Sequence, residues 1–147
     1  MSSSLRFASL LQWHTQQRDN AQSEIAALHL QRQSIDEQFA AIKKQRIALH
    51  DQASVSAAGH LAVEKLQRID RQDSLLDSQH EILGDHQKAL NQQLELRCSE
   101  LLKIQQDVRR MEKLQAAELA KQRCQRDRAL QREYDEQASV AFQRRRA

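Results

Sequence analysis

An all-α fold, a long antiparallel two-helix coiled-coil hairpin with a C-terminal helical overhang, is predicted by three observations. The chain of 147 residues contains no proline and only two glycines, so few positions interrupt a helix. Aromatic residues make up 3% of the chain, too few for an ordinary globular core of this length. Two long stripes, spaced alternately by three and four residues, run through the two halves of the chain.

The first helix is predicted over about residues 4–50, because one stripe runs along it without a break. Its alternating spacing is that of the core positions of a coiled coil. A helix with this stripe cannot bury it alone and therefore needs a partner helix. The members of the stripe are Leu11, His14, Arg18, Ala21, Ile25, Leu28, Arg32, Ile35, Phe39, Ile42, Arg46 and Leu49.

Small and polar residues separate the two stripes and predict a turn over about residues 51–60. This segment contains Gly59, the first glycine of the chain, which is free to adopt a positive φ. At the start of the chain, Ser2, Ser3 and Ser4 can cap the first helix through their hydroxyl oxygens.

The second helix is predicted over about residues 61–142, so that residues 1–147 form a single coiled-coil module. Beyond Met111 the same spacing reaches Gln115, Glu118 and Gln122, so pairing should weaken there and leave a polar overhang. The second stripe consists of Leu66, Ile69, Asp73, Leu76, His80, Leu83, Gln87, Leu90, Leu94, Arg97, Leu101, Ile104, Val108 and Met111.

Folding the chain about a point near residue 56 predicts which positions of the two helices face each other. Phe39 then faces Asp73, and Leu11 faces Leu101. Exposed ion pairs contribute only about 0.2–1 kcal/mol each, so they serve register more than stability. The pairs predicted in this register are Arg18 with Glu95, Glu24 with Lys88, Arg32 with Asp77 and Glu81, and Lys43 with Asp70.

The motifs of most enzyme and cofactor classes are missing from the sequence. It has no Gly-rich phosphate loop, no HExxH motif and no Cys/His cluster with zinc spacing. A two-helix hairpin also offers almost no enclosed pocket for a catalytic set. We therefore predict no enzyme, no cofactor and no bound metal. No apolar run is long enough for a signal sequence or a membrane span, which predicts a soluble intracellular protein.

Positive charge is concentrated near the C-terminus. From Arg109 to Ala147 there are 11 Lys/Arg and 6 Asp/Glu residues. Such a segment could follow a phosphate backbone, which leaves nucleic-acid binding open as an alternative. Glu133, Asp135 and Glu136 interrupt the basic residues, however, and this favours a solvated or protein-binding face.

Four other residues allow structural and functional interpretations. Trp13 lies beside the first stripe, either as packing at its rim or as an exposed anchor for a partner. Gly84 is either a tolerated helical glycine or the site of a kink or close helix approach. Cys98 and Cys124 lie roughly 39 Å apart on one straight helix, so they are predicted to be reduced thiols of a cytosolic protein.

Several features together resemble the FliJ/YscO family, the small cytoplasmic stalk proteins of flagellar and injectisome type III export. The chain length and the predicted hairpin agree with the family. Glu37-Gln38-Phe39-Ala40-Ala41-Ile42 is similar to a run in the first helix of flagellar members, and Ser56-Ala57-Ala58-Gly59 resembles their small-residue turn. The ending from Glu136 to Arg145 resembles that of injectisome members, which favours an injectisome and a role in virulence. Where the family usually has aromatic residues, this chain has Gln45 and Leu49.

The resemblance implies a bacterial, cytoplasmic, non-catalytic stalk at the inner-membrane export apparatus. Such a stalk binds the hexameric export ATPase and links it to the cytoplasmic domain of the export gate, and family members also handle export chaperones. The residues expected at the gate are Gln38, Ile42 and Leu49, and those expected at the ATPase ring are Trp13, Arg126, Tyr134 and Phe142. The alternatives are a generic coiled-coil adaptor or oligomerisation rod and, less favoured, a nucleic-acid-associated coiled coil.

Overall fold

The structure, a computed structural model, describes residues 2–57 and 63–147, with the side chains of residues 2–5 and 57 outside the description. Within these ranges the chain forms two α-helices, α1 (Ser2–Ala57) and α2 (Val63–Arg146), and no strand. The helices pack against each other in opposite directions, which confirms the predicted all-α hairpin. The predicted hydroxyl caps at Ser2, Ser3 and Ser4 and the predicted turn at Gly59 lie outside the described parts of the chain.

Both helices extend beyond the ends that the stripes predict. Residues 51–57, expected to be part of the turn, are helical. This segment lacks glycine and proline, and the Ser54 hydroxyl donates a hydrogen bond back to the Asp51 carbonyl at 2.9 Å. At its other end α2 continues to Arg146, where three arginines in the last turn interact favourably with the negative end of the helix dipole.

Contacts within the chain fall into two units. The hairpin unit is Asn20–Leu101, and the terminal unit consists of residues up to Asp19 together with Leu102–Ala147. The hairpin unit contains parts of both helices and every ion pair that joins α1 to α2 among the described side chains.

The core of the hairpin unit is a narrow line of apolar side chains along the two stripes. Ile42, Leu49 and Leu76 are buried and pack together, with Ile69 and Leu83 against them. Leu90 and Leu94 are also buried, while Ile25, Leu28, Ile35 and Phe39 are half-buried. A residue outside the stripe, such as Leu30, is exposed. Burial of the apolar side chains therefore follows the alternating spacing of three and four, except at Leu66, which is 43% exposed.

The register of the two helices differs from the predicted one by about one heptad. Phe39 contacts His80, with ring centroids 5.0 Å apart, and not Asp73. Asp73 instead accepts a hydrogen bond from Arg46 Nε at 3.1 Å. Glu24 pairs with Arg97 at 3.3 Å rather than with Lys88. The prediction was wrong because a pattern that repeats every seven residues is unchanged by a shift of seven.

In the terminal unit, burial continues further along α2 than the apolar stripe does. Val108 is buried, and Leu11 and Met111 are half-buried. Gln115, Glu118 and Gln122, the polar positions where pairing should weaken, are half-buried as well. Every side chain from Arg123 to Ala147 is exposed, so the last part of α2 buries no apolar face within this unit.

Candidate partner-binding surfaces

Gln38 lies on the rim of a surface cleft of about 490 Å³ in the hairpin unit. Its side chain is exposed, with the amide nitrogen 3.5 Å from the Ser34 hydroxyl. Ile82, 56% exposed, provides an apolar patch on the α2 side. The full lining is Gln38, Ala41, Ile42, Gln45, Gln79, Ile82, Leu83 and His86. An open cleft with amide rims and an apolar floor suits a protein partner better than an enclosed small ligand.

Ile42 and Leu49, the other two residues expected at the gate, are each only 7% exposed. Both belong to the core cluster that joins the two helices. Leu49 can therefore affect a partner through the packing of α1 against α2, and Ile42 through that packing and the small part of its side chain that lines the cleft. Among the three expected residues, Gln38 is the one that the structure presents at the surface.

Similar clefts repeat along one side of the hairpin unit at intervals of 14 residues. On α1 they involve Glu24, Ala27 and Leu28, then Gln38, Ala41 and Ile42, then Gln52, Val55 and Ser56. On α2 they involve Gln93, Leu96 and Arg97, then Gln79, Ile82 and Leu83, then Lys65, Arg68 and Ile69. Fourteen residues are two heptads, so these clefts share one face of each helix. We call this face, lined by Gln38, Gln45, Gln52, Gln72, Gln79 and Gln93, the glutamine groove.

A second apolar stripe on α2, which the search for core spacing missed, borders the glutamine groove. Leu75, Ile82 and Leu96 are 58%, 56% and 61% exposed. They precede core positions by one residue and recur at multiples of seven, and Ala89 completes the series. The corresponding α1 positions carry small residues, namely Ala27, Ser34, Ala41 and Ala48. The signal is present in the sequence as a heptad repeat displaced by one position from the core.

Near Arg46, charged side chains join α1 to α2 across the seam, the line along which the two stripes meet, on the side away from the glutamine groove. Arg46 donates from Nε to Asp73 and approaches Asp77 through Nη1 at 3.2 Å. The hydrogen bond from Arg46 is the main reason why the pKa of Asp73 lies below its usual value, and the same bond raises the pKa of Arg46. His50 Nε2 lies 3.9 Å from Asp73 Oδ1. Because Arg46 and Asp73 both occupy stripe positions, this pair favours one register over the others.

The residues expected at the ATPase ring lie in the terminal unit and are exposed. Trp13 is 56% exposed and meets His14 edge-on, with ring centroids 4.9 Å apart. Tyr134 and Phe142 are 66% and 59% exposed, and the Arg146 guanidinium lies 5.1 Å from the centre of the Phe142 ring. Arg126, Tyr134 and Phe142 are spaced by eight residues, or about 12 Å along the helix, so they form a series and not a single cluster.

The described residues also bear on metal sites, membrane spans and disulfides. No group of three or more His, Cys, Asp or Glu residues there could hold a metal ion. Neither α1 nor α2, over its described length, is long and apolar enough to cross a membrane. Cys98 and Cys124 are both exposed and are not bonded to each other.

A match to a known protein family covers nearly the whole chain. A family model described as the flagellar FliJ protein matches residues 2–147, and the chain therefore belongs to the FliJ family. No curated protein and no solved structure matches the chain. The matching family is described as flagellar, and the preference for an injectisome, based on the C-terminal ending, stays a prediction.

Proposed function

We propose that this protein is the stalk of a bacterial type III export apparatus, where it couples the hexameric export ATPase to the export gate. The observation that carries the proposal is the match to the FliJ family over residues 2–147. The paired helices supply a stiff support, and the exposed surfaces at different places along them supply contacts for different partners. Export chaperones are further candidate partners of the same exposed surfaces.

The terminal unit is the proposed contact with the ATPase ring. It exposes Trp13, Tyr134 and Phe142, and aromatic side chains are enriched at the energetic centres of protein interfaces. Arg126 adds a guanidinium group on the same exposed stretch of α2. Since every side chain from Arg123 onward is exposed, a partner can reach this segment without disturbing the hairpin unit.

The glutamine groove is the proposed contact with the gate. Gln38 stands at its rim, where an amide can donate and accept hydrogen bonds. Ile82 offers apolar surface next to it. In this arrangement Ile42 and Leu49 support the groove from beneath, because they belong to the core that holds α1 on α2.

An ATPase assay tests the proposed coupling. The purified chain alone should hydrolyse no ATP, whereas adding it to the cognate export ATPase should raise turnover. Deleting residues 125–147, or changing Tyr134→Ala with Phe142→Ala, should return turnover to the rate of the ATPase alone. The melting of the remaining hairpin should change little, because the altered side chains are exposed.

Gln131→Ala is the matched control, since it alters an exposed side chain of the same segment. It should leave stimulation intact. Full stimulation by the truncated chain would show that the ring contact lies elsewhere. Absence of stimulation by the unaltered chain would count against the coupling function itself.

A further inference from the structure

We propose that the glutamine groove is a self-association surface, through which two copies of this chain pair side by side into a four-helix arrangement. In this dimer the two-fold axis runs parallel to the helices, so that α2 of each copy lies over α1 of the other. Three properties of the glutamine groove support the proposal: the sizes of its side chains, the placement of its charges and the area that two copies would bury. It does not depend on the export function.

Size is complementary along the groove. The exposed side chains of Leu75, Ile82 and Leu96 are on α2, and the α1 positions at the same heights along the hairpin are small. At the Asp51 end of the groove, α1 also contributes Val55, which is 75% exposed. Ile82 shares its cleft with Ala41, and Leu96 shares its cleft with Ala27. Rotation about an axis parallel to the helices leaves the position of each residue along that axis unchanged. Ile82 of one copy therefore meets Ala41 of the second, and Leu96 meets Ala27. Large side chains thus enter the spaces left by small ones, as in the packing of helix bundles.

Charge is complementary as well. The centre of the groove is rimmed by Gln38, Gln45 and Gln79, which bring no like charges together. At one end, Lys65 and Arg68 are level with Asp51, so each copy's basic pair meets the other's carboxylate. At the other end, Glu24 and Arg97 pair within each copy at 3.3 Å, and the second copy brings the opposite charge to each of them. A two-fold axis perpendicular to the helices would instead lay α2 on α2, with large residues facing the same large-residue stripe.

The contact is long enough for a stable dimer. From Glu24 to Asp51 the face extends for about 40 Å at 1.5 Å per residue. A face two helices wide, each about 10 Å across, covers about 800 Å² on each copy. That is the size at which specific protein interfaces are usually stable. The same pairing covers Gln38, so self-association and the proposed gate contact exclude each other.

Analytical ultracentrifugation of the full chain over a range of concentrations tests the dimer. The unaltered chain should sediment as a reversible dimer, and Ile82→Glu with Leu96→Glu should abolish the dimer at the concentrations where the unaltered chain shows it. Both residues are more than half exposed, so helicity and the melting of the monomer should be retained. Leu30→Glu, which changes a 68% exposed leucine outside the groove, should dimerise normally.

Disulfide trapping tests the direction of pairing. With Cys98 and Cys124 replaced by serine, one chain carries Ala41→Cys and another carries Ile82→Cys. Oxidation of the mixture should join the two different chains, and neither variant alone should form a disulfide-linked pair. Monomers at all concentrations, a dimer that the Ile82 and Leu96 changes leave intact, or disulfides formed within one variant alone would each overturn the proposal.

Discussion

Arg46 and Asp73 show how one pair of residues can select a register in a repetitive seam. Their side chains are each about one-third exposed, and Asp77 and His50 add weaker charge contacts. Such a pair adds little net stability in the presence of solvent. The pair instead disfavours the other registers of the two helices. A shift of seven residues would separate Arg46 from Asp73 and place both among apolar neighbours.

The lowered pKa of Asp73 predicts a pH dependence of stability. The native carboxylate is held charged by Arg46, so its contribution is complete above the ordinary pKa of 3.8 and is lost as the pH falls through the lower native value. Denaturant unfolding at several pH values should therefore show a decline below about pH 4 that Asp73→Asn reduces. Asp85→Asn, an exposed control on α2, should retain the full decline. Identical pH profiles for Asp73→Asn and the unaltered chain would contradict this assignment.

Gly84 should be replaceable with a gain in stability. It is helical without a positive φ, and a Cβ placed there would have no atom within 4 Å. Gly84→Ala should raise the free energy of unfolding by about 1 kcal/mol, measured as a higher denaturant midpoint with an unchanged slope. A loss of stability would revive the alternative interpretation, in which another helix approaches this position closely.

At the scale of the helices, the stripes predicted which faces meet, and the reasons for the remaining errors are physical. Heptad spacing determines the buried face, but it is identical in registers that differ by seven residues, so Phe39 was assigned to Asp73 and not to His80. The end of α1 was misjudged because residues 51–57 contain small polar residues that also favour turns. Gln38 could be placed beside the seam from spacing alone, whereas the exposed Leu75 and Ile82 required a second repeat to be recognised.

The seam itself can be tested with a matched pair of substitutions on α1. Ile35 is half-buried on the stripe, and Gln33, two residues earlier, is exposed. Ile35→Asp should lower the free energy of unfolding by about 2 kcal/mol or more, because it places an unpaired charge in the seam. Gln33→Asp should change it by less than about 0.5 kcal/mol. Equal melting temperatures for the two variants would mean that the seam has been assigned to the wrong face.

At the scale of the whole molecule, the chain offers chemically different surfaces for different contacts. The hairpin unit carries the glutamine groove, with its neutral rim and exposed apolar stripe. The terminal unit carries exposed aromatic residues and the basic last turn of α2. The proposed coupling function needs surfaces of different chemistry, since each partner must recognise its own surface.

Gln38 provides the test of the proposed gate contact. Gln38→Ala should weaken binding to the cytoplasmic domain of the export gate by several-fold, because it removes an amide from the rim of the groove. Its melting temperature and its stimulation of the ATPase should match those of the unaltered chain. Gln33→Ala, exposed on the same helix but outside the cleft, should bind the gate normally. Undiminished affinity of the Gln38 variant, measured by calorimetry, would move the gate contact elsewhere.

The position of the core cluster also has a consequence for how the chain reaches this structure. Leu49 packs in a cluster with Ile69 and Leu76, about 20 to 27 residues further along the chain. The entropy lost in closing so short a loop is smaller than for contacts between the two ends of the helices. We therefore expect folding to nucleate at this cluster, after which the two helices pair progressively towards the chain termini. Substitutions at Leu49 should then slow refolding, whereas those at Val108 should mainly speed unfolding.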